Sequence, residues 1–114
     1  MEIKIVNEKI SLEEVKKMAE AGFGEMVKAV VNIEKRKMAL GGEWHSDAEE
    51  ILLKDGSLQS DLWGINLYPF RSQEQIIEFS SLINIRPKIG NRTMIVEIPE
   101  VRAKIIEIIG EMII

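Results

Sequence analysis

Apolar and charged residues alternate along "MEIKIV", with Ile3 and Ile5 on one face, and this period of two predicts a short first strand. The period then lengthens. In "SLEEVKKMAEAG" Leu12, Val15 and Met18 recur at helical spacing, Ser11 and Glu14 form a capping box, and Gly22 suits the left-handed position after the last turn. The stretch "EMVKAVVNIEKRKMALGG" sets Val27, Ala29, Val31 and Ile33 on one parity before a charged run, Glu34 to Lys37. That predicts a hairpin; a continuous helix over 25–40 is the competing reading, and the β-branched residues favour strands. "SDAEEILLKDGS" reads as a second helix, capped by Ser46 with Glu49 and closed by Gly56, with Asp47 and Glu50 in the first turn where the helix dipole favours acids. Two strands are expected next. "DLWGINLYP" puts Trp63, Ile65 and Leu67 on one face; "EQIIEFSSLINIRP" is longer, with Ile77, Phe79, Ser81, Ile83 and Ile85 opposed by Glu78, Ser80, Leu82, Asn84 and Arg86. Pro87 ends that pairing, residues 88–93 read as a loop, and "MIVEI" adds a short strand. The last helix, "PEVRAKIIEIIGEMII", starts with Pro99 at its first position. Val101, Ile105, Ile108 and Met112 line one face, widened by Ile106, Ile109 and Ile113.

This order of elements predicts an α+β fold: an antiparallel or mixed sheet of four to five strands, with about three helices packed mainly on one face. With 114 residues and no linker or repeat, the chain is expected to form one domain, residues 1–114. The breadth of the last apolar stripe has two readings, a core face inside one subunit or a homodimer through the C-terminal Ile-rich helix.

Composition narrows the classes. Hydrophobic residues at 46% and charged residues at 30% argue against disorder. There is no cysteine, so disulfides, thiolate metal sites and cysteine catalysis are excluded. The net charge of −4 argues against nucleic acid or an anionic membrane as a partner. No apolar run has the length of a membrane span, and the first residues do not resemble a signal peptide, so a cytoplasmic location is expected. Isoleucine at 19 residues and glutamate at 16, against 3 aspartates and 3 glutamines, is the bias of a thermophile, with an AT-rich genome as the alternative.

Four short patterns stand out: H-x-D-x-E at His45, Asp47 and Glu49; G-S-x-Q from Gly56; W-G-x-N from Trp63; and N-I-R-P from Asn84. In combination, over about residues 27–92, they resemble a family of small prokaryotic proteins, bacterial and archaeal, catalogued as a domain of unknown function. The family pattern usually has a large aliphatic residue before the histidine and an alanine after it; Trp44 and Ser46 stand there in this chain. The resemblance implies which residues belong together and carries no activity with it.

Charge is segregated in a way that suggests a site. Residues 41–61 hold Glu43, Asp47, Glu49, Glu50, Asp55 and Asp61 against Lys54 and His45, whereas residues 79–96 hold no acid but carry Arg86, Lys88 and Arg92. Arginine bonds carboxylates through two parallel N–H groups, so an ion pair of Arg86 with Glu43 or Asp47 is expected, either as a structural clamp or as one wall of a pocket. The pocket reading gathers Glu43, Trp44, Asn66, Asn84, Arg86, Asn91 and Arg92 around a small polar or anionic ligand. "KIGNR" could add backbone amides and Arg92 for an anion. His45, the only imidazole, is the candidate general acid or base, with Asp47 orienting it; a structural hydrogen-bonding role is the competing reading. Its spacing to Asp47 is also seen at metal sites, but one histidine with carboxylates is a poor zinc set, and neither metal nor cofactor is expected. Ser57 lacks the G-x-S-x-G setting of an activated nucleophile, and no phosphate-binding glycine motif occurs. Trp63 reads as core, and the basic cluster at Lys35 to Lys37 as a solvated turn. Three functions remain open: a binding module for a small polar ligand or a protein partner; a small hydrolase or lyase working through His45; and a structural or assembly protein.

Overall fold

A four-residue turn in the middle of the chain organises the sheet. Asn32 ends strand β2 (Val27–Asn32), and its Oδ1 accepts from the backbone N–H groups of Glu34 and Lys35, 3.0 and 2.9 Å away. An asparagine bonding its own turn in this way reverses the chain locally, so β3 (Lys37–Gly41) returns antiparallel to β2. The computed structural model describes residues 1–114. Strand β1 (Ile3–Val6) pairs with β3, β4 (Leu62–Leu67) with β2, and the two-residue β5 (Ile77–Glu78) with β4. The sheet therefore runs β1-β3-β2-β4-β5 and is antiparallel throughout.

Both faces of this sheet are covered, which explains why every residue of β4 is buried. On the first face Ala29, Val31, Leu40, Trp63 and Ile65 meet α1 (Leu12–Ala21) and α3 (Pro99–Met112). On the second face Val30, Ala39 and Leu62 meet Ala48 and Leu52 of α2 (His45–Lys54). Two of the three helices thus share one side, and the third occupies the other. The stripe of α3 is spent inside the chain: Val101, Ile105, Ile108, Ile109 and Met112 are all buried, while Ile106 is exposed. The charged turn is tied to α3 as well, through Glu34–Lys104 at 3.1 Å and Arg36 with Glu111. No helix is long and apolar enough to cross a membrane.

Helix ends follow the sequence in part. The Ser11 Oγ accepts from the Glu14 N–H at 3.1 Å, as a cap should, but the Glu14 carboxylate pairs with Lys4 of β1 instead of completing a box. After α1 the left-handed residue is Gly24, not Gly22. Helix α2 begins two residues earlier than expected: Trp44, not Ser46, holds the cap position, and no side chain caps the helix. At its other end the Gly56 N–H reaches the Leu53 carbonyl at 3.1 Å and the Ser57 N–H reaches Leu52 at 2.9 Å, the paired bonds that stop a helix at a left-handed glycine.

The largest departure lies after β5. In place of the long strand expected over 74–87, pairing stops at Glu78, single turns of 3-10 helix form at Leu82–Asn84 and Pro87–Ile89, and "MIVEI" contributes only an isolated bridge between Ser80 and Ile95. Local bonds outcompete the ladder. The Ser81 Oγ accepts from the Ile83 N–H at 3.3 Å and caps the first turn. Beside it, Asn84 replaces a strand with one side chain: its Oδ1 accepts from the Gly64 N–H at 2.8 Å, and its Nδ2 donates to the Gly64 carbonyl at 2.9 Å. Gly64 permits this approach, because a Cβ there would lie 2.5 Å from Ser81 Cβ and 3.0 Å from Ile83 Cγ1.

Candidate functional site

Strand β3 ends at Gly41 and is followed by Gly42, both at positive φ, and the chain turns there into α2. A side chain at Gly41 is impossible, since its Cβ would stand 2.1 Å from the Glu2 carbonyl oxygen. The turn leaves Trp44 outside, 61% exposed, and folds His45 inward against the second face of the sheet, 8% exposed. There the His45 Nε2 lies 2.8 Å from the Ile65 carbonyl. Lys28 and Asn66 sit directly opposite each other on β2 and β4, on this same face. The segment after β5 closes the other side with Ser80, Leu82 and Ile83. A cleft of about 240 Å³ remains between these walls, with the N-terminus of α2 and Met94 at its border.

The polar chemistry of this cleft is one-sided. The Asn66 Nδ2 donates to Glu78 Oε1 at 2.8 Å and to the Ser80 carbonyl at 3.3 Å, which fixes the orientation of the amide. Its Oδ1 is buried and has no hydrogen-bond partner. Burial lowers the His45 pKa below its ordinary 6.5; the Ile65 carbonyl and Asn66 oppose the shift, and Lys28 adds to it. The ring is therefore neutral at pH 7. The Ile65 carbonyl can only accept, so the single ring proton resides on Nε2, and Nδ1 presents a lone pair. His45 and Asn66 both line the cleft, so it holds two acceptors, His45 Nδ1 and Asn66 Oδ1, that no protein donor satisfies.

Of the residues marked by sequence, Trp44, His45 and Asn66 converge on the cleft, and the rest do not. Glu43 and Asp47 are exposed and bond neither His45 nor Arg86. The expected ion pair of Arg86 is absent. Its guanidinium donates to the Leu62 carbonyl and lies 4.4 Å from the centre of the Trp63 ring, because the edge of β4 offers carbonyls and an aromatic face where no carboxylate reaches. Burial lowers the Arg86 pKa, and the field of Glu49 partly opposes this. Asn84 and Asn91 are fully buried builders of the loop. Asn91 donates to the Asn84 and Ile95 carbonyls at 2.7 and 2.9 Å and accepts from the Glu97 N–H at 2.7 Å. Arg92 is exposed, and its backbone N–H, with that of Thr93, is taken by the Glu97 carboxylate, so "KIGNR" presents no joint nest with the cleft. Ser57 accepts from Asn32 Nδ2 at 3.0 Å, remote from any imidazole partner. No group of three or more His, Asp or Glu side chains comes together as a metal site would require. Lys28, Ser46, Ser80 and Ser81 line the cleft without having been marked. Lys28 carried a signal: it is the only charged position within the apolar strand Val27–Asn32.

No curated protein and no solved structure matches the chain. A family model does, over residues 4–112, and nearly the whole fold described above lies within it. The chain belongs to the DUF5674 family, proteins of unknown function.

Proposed function

We propose that the protein is a binding module and that the cleft between Lys28, His45 and Asn66 takes a small polar ligand. One observation carries this reading: Asn66 Oδ1 is buried without a partner. A buried acceptor left unpaired costs about 1–3 kcal/mol, and a ligand donor recovers it. The two buried asparagines of the loop after β5 show how this chain treats purely structural amides, since both oxygens and both nitrogens of Asn84 and Asn91 are bonded. Asn66 departs from that pattern at the only place where a cleft adjoins it. The hydrolase or lyase reading has less support, because no carboxylate orients the His45 ring and its proton is committed to a backbone carbonyl.

The test is a thermal-shift screen of a metabolite collection on the wild-type chain, Asn66→Ala and Asp47→Ala. At least one compound should stabilise the wild type and the Asp47 variant but not the Asn66 variant. A collection in which every stabilising compound acts equally on Asn66→Ala, or in which none stabilises, overturns the proposal.

A further inference from the structure

The cleft has two chemically opposite poles, and their presence in one small space points to a ligand class. The acceptor pole is Asn66 Oδ1 with His45 Nδ1, backed by the Glu78 carboxylate on the far side of the Asn66 amide. The donor pole is the N-terminus of α2, a ten-residue helix whose first turn has no side-chain cap, together with the Ser46 hydroxyl and Lys28. Lys28 has no carboxylate partner; its ammonium lies 5.5 Å from the centre of the Phe23 ring. Free amides at a helix start and an unpaired ammonium attract an anion. The acceptor pole, in contrast, calls for N–H groups and is itself nine-tenths buried, with Asn66 7% and His45 8% exposed.

Lys28 and Asn66 are direct cross-strand neighbours, so their Cβ atoms stand only about 5 Å apart. Donor and acceptor poles therefore border one and the same small cleft. A bare phosphate or carboxylate fills only one of them. Between the poles and solvent stands an apolar rim of Trp44, Leu82, Ile83 and Met94. The volume of about 240 Å³ is below the range of about 300–1,000 Å³ usual for drug-sized ligands.

Resting on the cleft reading above, we infer that the ligand is a free α-amino acid with an apolar side chain: its ammonium between Asn66 and His45, its carboxylate on the α2 N-terminus and Lys28, its side chain against the rim. The experiment uses L-leucine, L-phenylalanine, N-acetyl-L-leucine, L-leucinamide and 4-methylpentanoate. Binding is read by calorimetry and by the ring resonances of His45, the only histidine. L-leucine or L-phenylalanine should bind and move the His45 signals. Blocking either charge should weaken binding at least tenfold, and Lys28→Met should weaken the free amino acid at least tenfold while leaving the folded spectrum intact. Equal binding of L-leucine and L-leucinamide, or no binding of either free amino acid, overturns the inference. If a compound of another class moves the His45 signals in an Asn66-dependent way, the amino-acid inference fails and the cleft reading stands; if no compound of any class does so, both fail.

Discussion

Asn84→Ala tests the idea that one side chain stands in for a strand at the edge of β4. The substitution removes the bonds to the Gly64 N–H and carbonyl, at 2.8 and 2.9 Å, and the bond to the Met94 carbonyl at 3.0 Å. Gly64 is buried, so both of its backbone groups lose their only partner on that side, whereas Met94 lies at an exposed position where water can replace the bond. At about 1–3 kcal/mol for each buried group left unpaired, the expected cost is about 3–4 kcal/mol. For a chain of this size that corresponds to roughly 12–16 °C in Tm. Urea denaturation followed by circular dichroism measures it. Asn84→Asp is the sharper control, because it keeps the shape and the acceptor but loses the donor facing two carbonyls. Burial and those carbonyls would raise the folded pKa of this aspartate above its unfolded value near 4. The ionised form is then the disfavoured one, so the deficit should be smallest below about pH 4 and grow as pH rises through the folded pKa. A cost below about 1 kcal/mol for Asn84→Ala, or an Asp variant as stable as the wild type at pH 7, would refute the surrogate-strand argument.

Other expectations follow from the same geometry. Gly64→Ala should cost about 1–3 kcal/mol by overpacking against Ser81, and combined with Asn84→Ala the loss should fall short of the sum, since both act on one contact; strict additivity in a double-mutant cycle would contradict this. His45 should titrate below 6.5 in an NMR pH series. Because its folded pKa is lowered, stability should be level above about pH 6.5 and decline as pH falls below it towards the folded pKa, and His45→Gln should remove that slope; a measured pKa at or above 6.5 would sink the assignment. Arg86→Lys keeps the charge but loses the planar stack on Trp63 and should cost about 1 kcal/mol, with a change in Trp63 emission; unchanged stability and emission would count against the stack. Trp44→Phe should leave the blue-shifted emission of a buried tryptophan, because Trp44 is 61% exposed and Trp63 is 1% exposed.

Periodicity alone was enough for β1 to β4, the three helices and the α+β class, because each of these elements buries a face whose spacing is written within a dozen residues. The parity of Val27, Ala29 and Val31 correctly named the first-face side of β2, and Trp63, Ile65 and Leu67 that of β4. Pattern could not foresee residues 79–87 and 94–98. Their alternation is that of a strand, yet the chain leaves the sheet where Ser81 caps a turn and Asn84 finds a glycine twenty positions earlier. The same limit applies to the polar residues. Charge segregation brought Arg86 into the candidate site and the pocket reading added Asn84 and Asn91, whereas their hydrogen bonds are consumed by backbone carbonyls and amides that only the folded loop presents. Lys28 enters the cleft through strand register, which pairs it with Asn66 across 38 positions of sequence. Local spacing determines which face of an element is apolar; which polar groups stay unpaired depends on contacts between distant segments, and only tertiary packing decides those.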